Sequence, residues 1–254
     1  MSWIKELDNW AQDYLPDMRL LREEPLSRHS SFRIGGPARR MAFPQNGEQL
    51  ILLLSQARDL SARPFVLGNG TNVLFPDEGV DRLVISTRDM ADIQLLEGGR
   101  VRAGAGASLA RTAVFACGQG LAGLEFAHGI PGSVGGGVCM NAGAYGGELK
   151  DVLTEVTALF PDGVRTLCGE ELALGYRRSF FTDHPEAVVL RAKLALHGGD
   201  QEAIKARMEE LSAKRRASQP LEMPSAGSTF KRPAGAFAAA TLIKETLASP
   251  ASTS

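Results

Sequence analysis

The chain is poor in cysteine, and none of it is paired. Cys117, Cys139 and Cys168 stand alone among 254 residues. With no CxxC and no Cys/His cluster at zinc spacing, the sequence offers neither a disulfide framework nor a zinc module. Isolated thiols point to a reducing, cytoplasmic setting. Charge of one sign is missing too: 28 Lys and Arg against 29 Asp and Glu leave a net −1. That is not the basic surface that nucleic-acid or anionic-membrane binding calls for, so neither partner is expected. No apolar run is long enough to span a bilayer, and the opening MSWIKELDNWAQDYL mixes polar and apolar residues instead of building a secretory leader. Three nucleotide and nucleophile signatures are also absent. There is no GxxxxGK[ST]. Ser133 lies in PGSVG, where a hydrolase elbow needs GxSxG. GAGASL at 104–109 has leucine where a dinucleotide fingerprint needs its third glycine, so a strand-to-helix turn is the better reading. His128 has no partner pattern for a catalytic triad and reads as a structural histidine.

What is present is glycine, concentrated in Gly123–Gly147, GLEFAHGIPGSVGGGVCMNAGAYGG. Its apolar residues are too interrupted for a long helix or a regular strand. Glycine at this density supplies positive φ angles and lets backbone N–H groups approach a ligand with no Cβ between. PGSVG and NAGAY are not the Ser/Gly mixture of a flexible linker. A hydrophobic content of 44% with 22% charged residues suits a globular chain of one large or two modest domains.

The remaining pattern alternates strand and helix. Trp3, Leu7, Trp10 and Tyr14 recur at helical spacing. A strand is expected over Ala38–Phe43, an amphipathic helix over Glu48–Leu60, a short strand over Pro64–Gly68 and another over Asp81–Thr87. Gly68-Asn-Gly-Thr-Asn72 follows a strand directly. It is either a phosphate nest or a tight loop between strands. A helix is read over Ser108–Cys117. Past Asp151 the pattern turns to β, with Leu153–Phe160 and Val164–Leu167 joined by Pro161-Asp-Gly163, then a long strand over Glu186–His197. Tyr176-Arg-Arg-Ser-Phe-Phe181 reads as edge-strand residues with solvated guanidinia, or as a fixed arginine gripping a carboxylate through its planar fork. Gly198-Gly199 suggests a boundary, and Asp200 can cap a helix over Gln201–Ala217. PSAGSTFKRP at 224–233 can present a hydroxyl near an anion, and Phe237–Leu247 looks like a short helix.

Four pieces in one order, GNGTN at 68–72, GIPGSVGGGVCMNAGAYGGEL at 129–149, YRRSFF at 176–181 and PSAGSTFKRP at 224–233, closely resemble the UDP-N-acetylenolpyruvoylglucosamine reductases, flavoenzymes of bacterial peptidoglycan synthesis. HSSFRIGGPA at 29–38 agrees. The resemblance implies an α+β chain: a two-subdomain FAD-binding unit over 1–197 (about 1–90 and 91–197), then an incomplete α/β substrate-binding domain over 198–254. It implies FAD as cofactor and NADPH as co-substrate, with Gly68, Asn69, Gly70, Thr71 and Asn72 on the pyrophosphate. Gly132, Ser133, Gly135, Gly136, Asn141, Gly143, Ala144 and Tyr145 would wrap the rest of the flavin. The substrate is a UDP-sugar enol ether with a carboxylate on its vinyl group. By motif position Arg177 stabilises the enolate-like charge and Ser228 donates the proton, while Tyr176 and Lys231 bind substrate. Arg232 stands where many members have asparagine and takes no role. A cytoplasmic monomer is expected.

One departure bears on activity. In the family the substrate domain runs on past this last motif to a segment whose glutamate works beside the arginine and the serine. TLIKETLASPASTS after Ala240 does not resemble it, and Glu222 and Glu245 stand in other contexts. Read this way, the ending is truncated, frameshifted or decayed; 1–197 folds and binds flavin, and turnover is weak or absent. A flavin-binding remnant or interaction protein without catalysis is then the alternative. A different FAD oxidoreductase such as an oxidase, or an NTPase, is a more distant one.

Overall fold

A computed structural model describes residues 3–219, 221–225 and 227. Helix α1 (Trp3–Tyr14) buries Leu7 of the stripe read from the sequence, together with Ala11, while Tyr14, counted in that stripe, is exposed. Strands β1 (Arg19–Pro25) and β2 (Pro37–Phe43) pair antiparallel. Helix α2 (Gly47–Asp59) is capped by Asn46, whose side chain accepts the Gln49 N–H. Strands β3 (Phe65–Leu67) and β4 (Val80–Ser86) pair in parallel, and β4 is parallel to β2, so the sheet order is β1-β2-β4-β3. Alternation divides this sheet between two cores. Met41, Phe43 and Val84 meet Leu26, Leu67 and Phe75 on one face. Ala42, Leu83 and Ile85 meet Leu7, Leu50 and Leu53 of the two helices on the other.

The second unit follows as β5 (Ile93–Leu96), β6 (Arg100–Gly104), α3 (Leu109–Gly118), β7 (Leu121–Ala122), α4 (Val134–Cys139), β8 (Gly143–Ala144) and β9 (Gly147–Glu148). Then come β10 (Leu153–Phe160), β11 (Gly163–Cys168), α5 (Phe180–Asp183), β12 (Val188–Ala195), β13 (His197–Gly198) and α6 (Gln201–Ser218). Its main sheet is antiparallel, in the order β11-β10-β12-β6-β5. Helices α3 and α4 cover one face through Leu109, Ala113, Val134 and Val138, and Ile204 and Met208 of α6 join the same core.

The mixed α+β architecture agrees with the expectation. Strand β12 departs from simple alternation. Thr157 pairs with Arg191 but Ala158 pairs with Val189, so Leu190 is an extra residue on β12. The bulge inverts the alternation. Val188 and Leu190 therefore enter the core of α1 and α2, whereas Ala192 and Leu194 enter the core of α3 and α4. One strand thus feeds both units, which is why three consecutive residues at its start are buried.

Three further elements differ from the sequence reading. Strand β1 lies in RLLREEP, half exposed with no clean alternation. The glycine-rich stretch contains a six-residue helix, α4, with three successive glycines. Helix propensity alone would not form it; packing does, because the missing side chains let it lie against Ala105 and Leu109. Tyr176–Phe181 is not an edge strand. Gly175 and Arg178 bridge across a tight turn, and Ser179 caps α5. The expected Phe237–Leu247 helix lies outside the described residues.

Candidate functional site

Strand β3 delivers the loop Gly68–Asn72, and two of its glycines are steric requirements. At Gly70, with φ +65, a Cβ would collide with the His29 carbonyl oxygen. At Gly68 a Cβ would collide with the Ser133 hydroxyl. The loop is therefore clamped between the 29–31 segment and the start of α4. The Ser31 N–H donates to the Gly70 carbonyl at 3.0 Å. None of the backbone N–H groups of Asn69, Gly70, Thr71 and Asn72 donates to another described residue. A glycine cradle with open main-chain donors is suited to a diphosphate.

The Gly132–Gly136 segment is built differently. Val134 N–H donates to Ala107 O at 2.7 Å and Gly135 N–H to Ala105 O at 2.9 Å. Gly136 N–H donates to the capping Ser133 hydroxyl at 3.2 Å. The donors at the start of α4 are thus engaged within the chain. Its glycines serve close approach: an ideal Cβ on Gly137 would lie 3.1 Å from both Leu109 and Leu149. This stretch shapes one wall of the loop above, and the open donors stand on 69–72.

Past α4 the chain forms the β8–β9 hairpin. Tyr145 and Gly146 are its turn, with φ +54 and +88, the left-handed pair that a two-residue hairpin requires. The Tyr145 side chain is exposed. Asn141, also left-handed at φ +39, is fully buried. Arg177 docks here. Its guanidinium donates to Gly143 O at 2.9 Å and Asn141 O at 3.5 Å, and it lies 5.3 Å from the Tyr176 ring centroid. Its φ is +54, a region non-glycine residues seldom occupy. Nearby, the Ser179 hydroxyl donates to Cys139 O at 2.9 Å. Burial pushes the Cys139 thiol up to about 11, so it stays protonated and is no nucleophile.

Two groupings thus emerge: Gly68–Asn72 with Gly132–Gly136, and Asn141–Tyr145 with Tyr176–Arg177, joined through α4. Ser228 and Lys231 lie outside the described residues. The segment before them is placed. The Ser31 hydroxyl donates to Ser225 O at 2.6 Å, and Ser225 N–H donates to Ser31 O at 3.1 Å. A Cβ on Gly227 would stand 3.9 Å from the Thr71 carbonyl oxygen. Sequence reasoning missed Ser31 and Glu148 as site residues. Ser31 lies inside a motif it quoted, but nothing in the string signals a bond to a residue so distant. The carbonyl and carboxylate partners of Asn141 are equally silent there.

The FAD binding domain family matches residues 38–169. The UDP-N-acetylenolpyruvoylglucosamine reductase of Levilactobacillus brevis is 46% identical over 223 residues, covering 87% of this chain and 73% of that protein. The enzyme of the same name from Geobacillus kaustophilus is 45% identical, again over 87% of this chain and 73% of its own length. Among solved structures, UDP-N-acetylenolpyruvylglucosamine reductase from Thermus caldophilus superposes with a TM-score of 0.76 at 37% identity, covering 90% of this chain and 80% of that one. Glucooligosaccharide oxidase from Acremonium strictum, at 16% identity and TM-score 0.57 over 78% of this chain and 43% of that one, shares the fold alone.

Proposed function

This chain belongs to the family of UDP-N-acetylenolpyruvoylglucosamine reductases, and from that premise we propose that it reduces the enolpyruvyl group of a UDP-sugar with Arg177 and Ser228 as its catalytic side chains. It is a FAD-dependent oxidoreductase of peptidoglycan synthesis that uses NADPH. The relatives favour this over a remnant without catalysis. Residues 1–197 hold the flavin, and 198–254 carry the substrate side, with α6 fastening that segment to the second core.

The residues fit the cofactor. Asn69, Gly70, Thr71 and Asn72 would meet the diphosphate with their open N–H groups, and Gly68 keeps the loop against α4. Gly132, Ser133, Gly135 and Gly136 would form the neighbouring wall, while Asn141, Gly143, Ala144 and Tyr145 would line the rest. When bound, FAD would supply hydride, drawn from NADPH, to the terminal vinyl carbon of the substrate. The adjacent carbon then carries negative charge that spreads into the carboxylate. Arg177 stabilises it with a fork held in place before reaction, a contribution of about 3 kcal/mol for one preorganised donor. Ser228 supplies the proton to that carbon, and its hydroxyl suffices against so basic a partner. Gly227, next to it and beside Thr71, supports its presence at the flavin side. Tyr176 and Lys231 hold the substrate. A monomer working in the cytoplasm completes the reading; the three free thiols support the reducing compartment alone.

The observation that carries the proposal is the docking of Arg177 on the carbonyls of Asn141 and Gly143. The test is an anaerobic stopped-flow run following flavin absorbance. NADPH bleaches the flavin, and UDP-N-acetylglucosamine enolpyruvate should restore its colour. Bleaching without recovery would sink the reductase reading, and rapid recovery with oxygen alone would favour an oxidase.

A further inference from the structure

Asn141 is fully buried, and both the nitrogen and the oxygen of its carboxamide have partners. Nδ2 donates to the Glu148 carboxylate at 2.7 Å and to the Gly175 carbonyl at 3.0 Å, and Oδ1 accepts the Lys150 N–H at 2.9 Å. Two donors and an acceptor thus join three separate pieces of chain: the end of α4, the segment after β9 and the turn at 175–178. The same residue's backbone carbonyl, together with that of Gly143, receives the Arg177 guanidinium. Arg177 is therefore held from both ends. The fork is held by main-chain carbonyls. The turn is held at Gly175 O, which accepts from Arg178 N–H at 3.2 Å as well as from Asn141.

We propose that Asn141 is the positioning residue for Arg177, keeping that turn in the left-handed conformation the arginine would not adopt alone. This rests on Arg177 acting on the substrate carboxylate. Asparagine suits the post for two physical reasons. It tolerates positive φ better than other side chains, and Asn141 sits at +39. Its carboxamide also donates and accepts at once, whereas aspartate only accepts. An aspartate here would face the Glu148 carboxylate and the Gly175 carbonyl with nothing to donate. Glu148 is the counterpart that fixes the amide's orientation; it is itself paired with Lys150.

Two substitutions separate this role from a structural one. Asn141→Gly keeps the backbone conformation and removes the side chain; Asn141→Asp keeps the size and removes the donor. Trypsin reads the turn directly, since it cuts after Arg177 and Arg178. Both variants should melt below wild type, because a buried hydrogen-bonded side chain is lost, and at a temperature where each is still folded both should be cut there well before wild type. With FAD saturating, recovery at saturating UDP-N-acetylglucosamine enolpyruvate should slow by about 100-fold, the scale of a misplaced catalytic group, and by a far larger factor than any change in bleaching by NADPH. Glu148→Ala, on a partly exposed side chain, should loosen the turn to a lesser degree and carries the test if the Asn141 variants do not fold. Wild-type trypsin cutting at 177–178 in the variants that fold would overturn the proposal. Failure of wild type itself to recover its colour would overturn the reductase reading, and the trypsin comparison would still stand.

Discussion

Gly70 combines φ +65 with a His29 carbonyl where a Cβ would go. Gly70→Ala should therefore lose at least about 1 kcal/mol from the left-handed backbone alone, and the collision adds to it. Urea denaturation measures the loss, and FAD titration should show weakened binding because the open donors lie on this loop. At the other grouping, Arg177→Lys keeps the charge and loses the planar fork. Recovery of flavin colour by the enolpyruvyl substrate should slow by about 100-fold while bleaching by NADPH is unchanged, as single-turnover traces would record. Both residues could be found in the sequence, Gly70 from GNGTN after a strand and Arg177 from the ordered motifs. The role of Asn141 could not. A carboxamide's partners depend on which distant carbonyl the fold brings within reach, and neither Gly175 nor Glu148 is marked in the string.

At the scale of elements, α1 is fastened to the first sheet by a bidentate pair. Arg40 on β2 donates to Asp8 through Nε at 2.6 Å and Nη2 at 2.7 Å, and both side chains are nearly buried. The Arg40 hydrogen bonds hold the Asp8 carboxyl below its ordinary 3.8 against the opposing effect of burial, with Arg22 assisting. A depressed folded-state pKa means the stabilisation is fully present above the unfolded value and is lost as pH falls through the folded one. Asp8→Asn should cost about 3 kcal/mol at neutral pH because Arg40 is left without its charge partner. Its stability should also fall less steeply than wild type below about pH 4, as urea titrations across pH would show. The helices α1, α2, α3 and α6 were legible from apolar spacing and caps. Strand β1 was not, because as an edge strand it exposes residues on both faces. Helix α4 was not, because its glycines make sense only against Ala105 and Leu109.

At the scale of the molecule, the core of α1 and α2 takes Leu159, Val188 and Leu190 from the second unit. The two units should therefore melt together. Both tryptophans, Trp3 and Trp10, lie on α1 and report only the first unit. Their fluorescence melt should coincide with the far-UV circular dichroism melt, which reports the whole chain. FAD at a hundred times its Kd should raise stability by about 2.7 kcal/mol and shift both curves equally. Separate midpoints would show two independently folding units.

The bulge at Leu190 also sets an order of events during synthesis. The first sheet and its helices leave the ribosome early, yet Val188 and Leu190, which complete their core, emerge only with the start of β12. Until then the apolar faces of α1 and α2 have no permanent cover. For that interval the nascent chain should present an uncovered apolar surface, the kind that aggregates most readily before folding is complete.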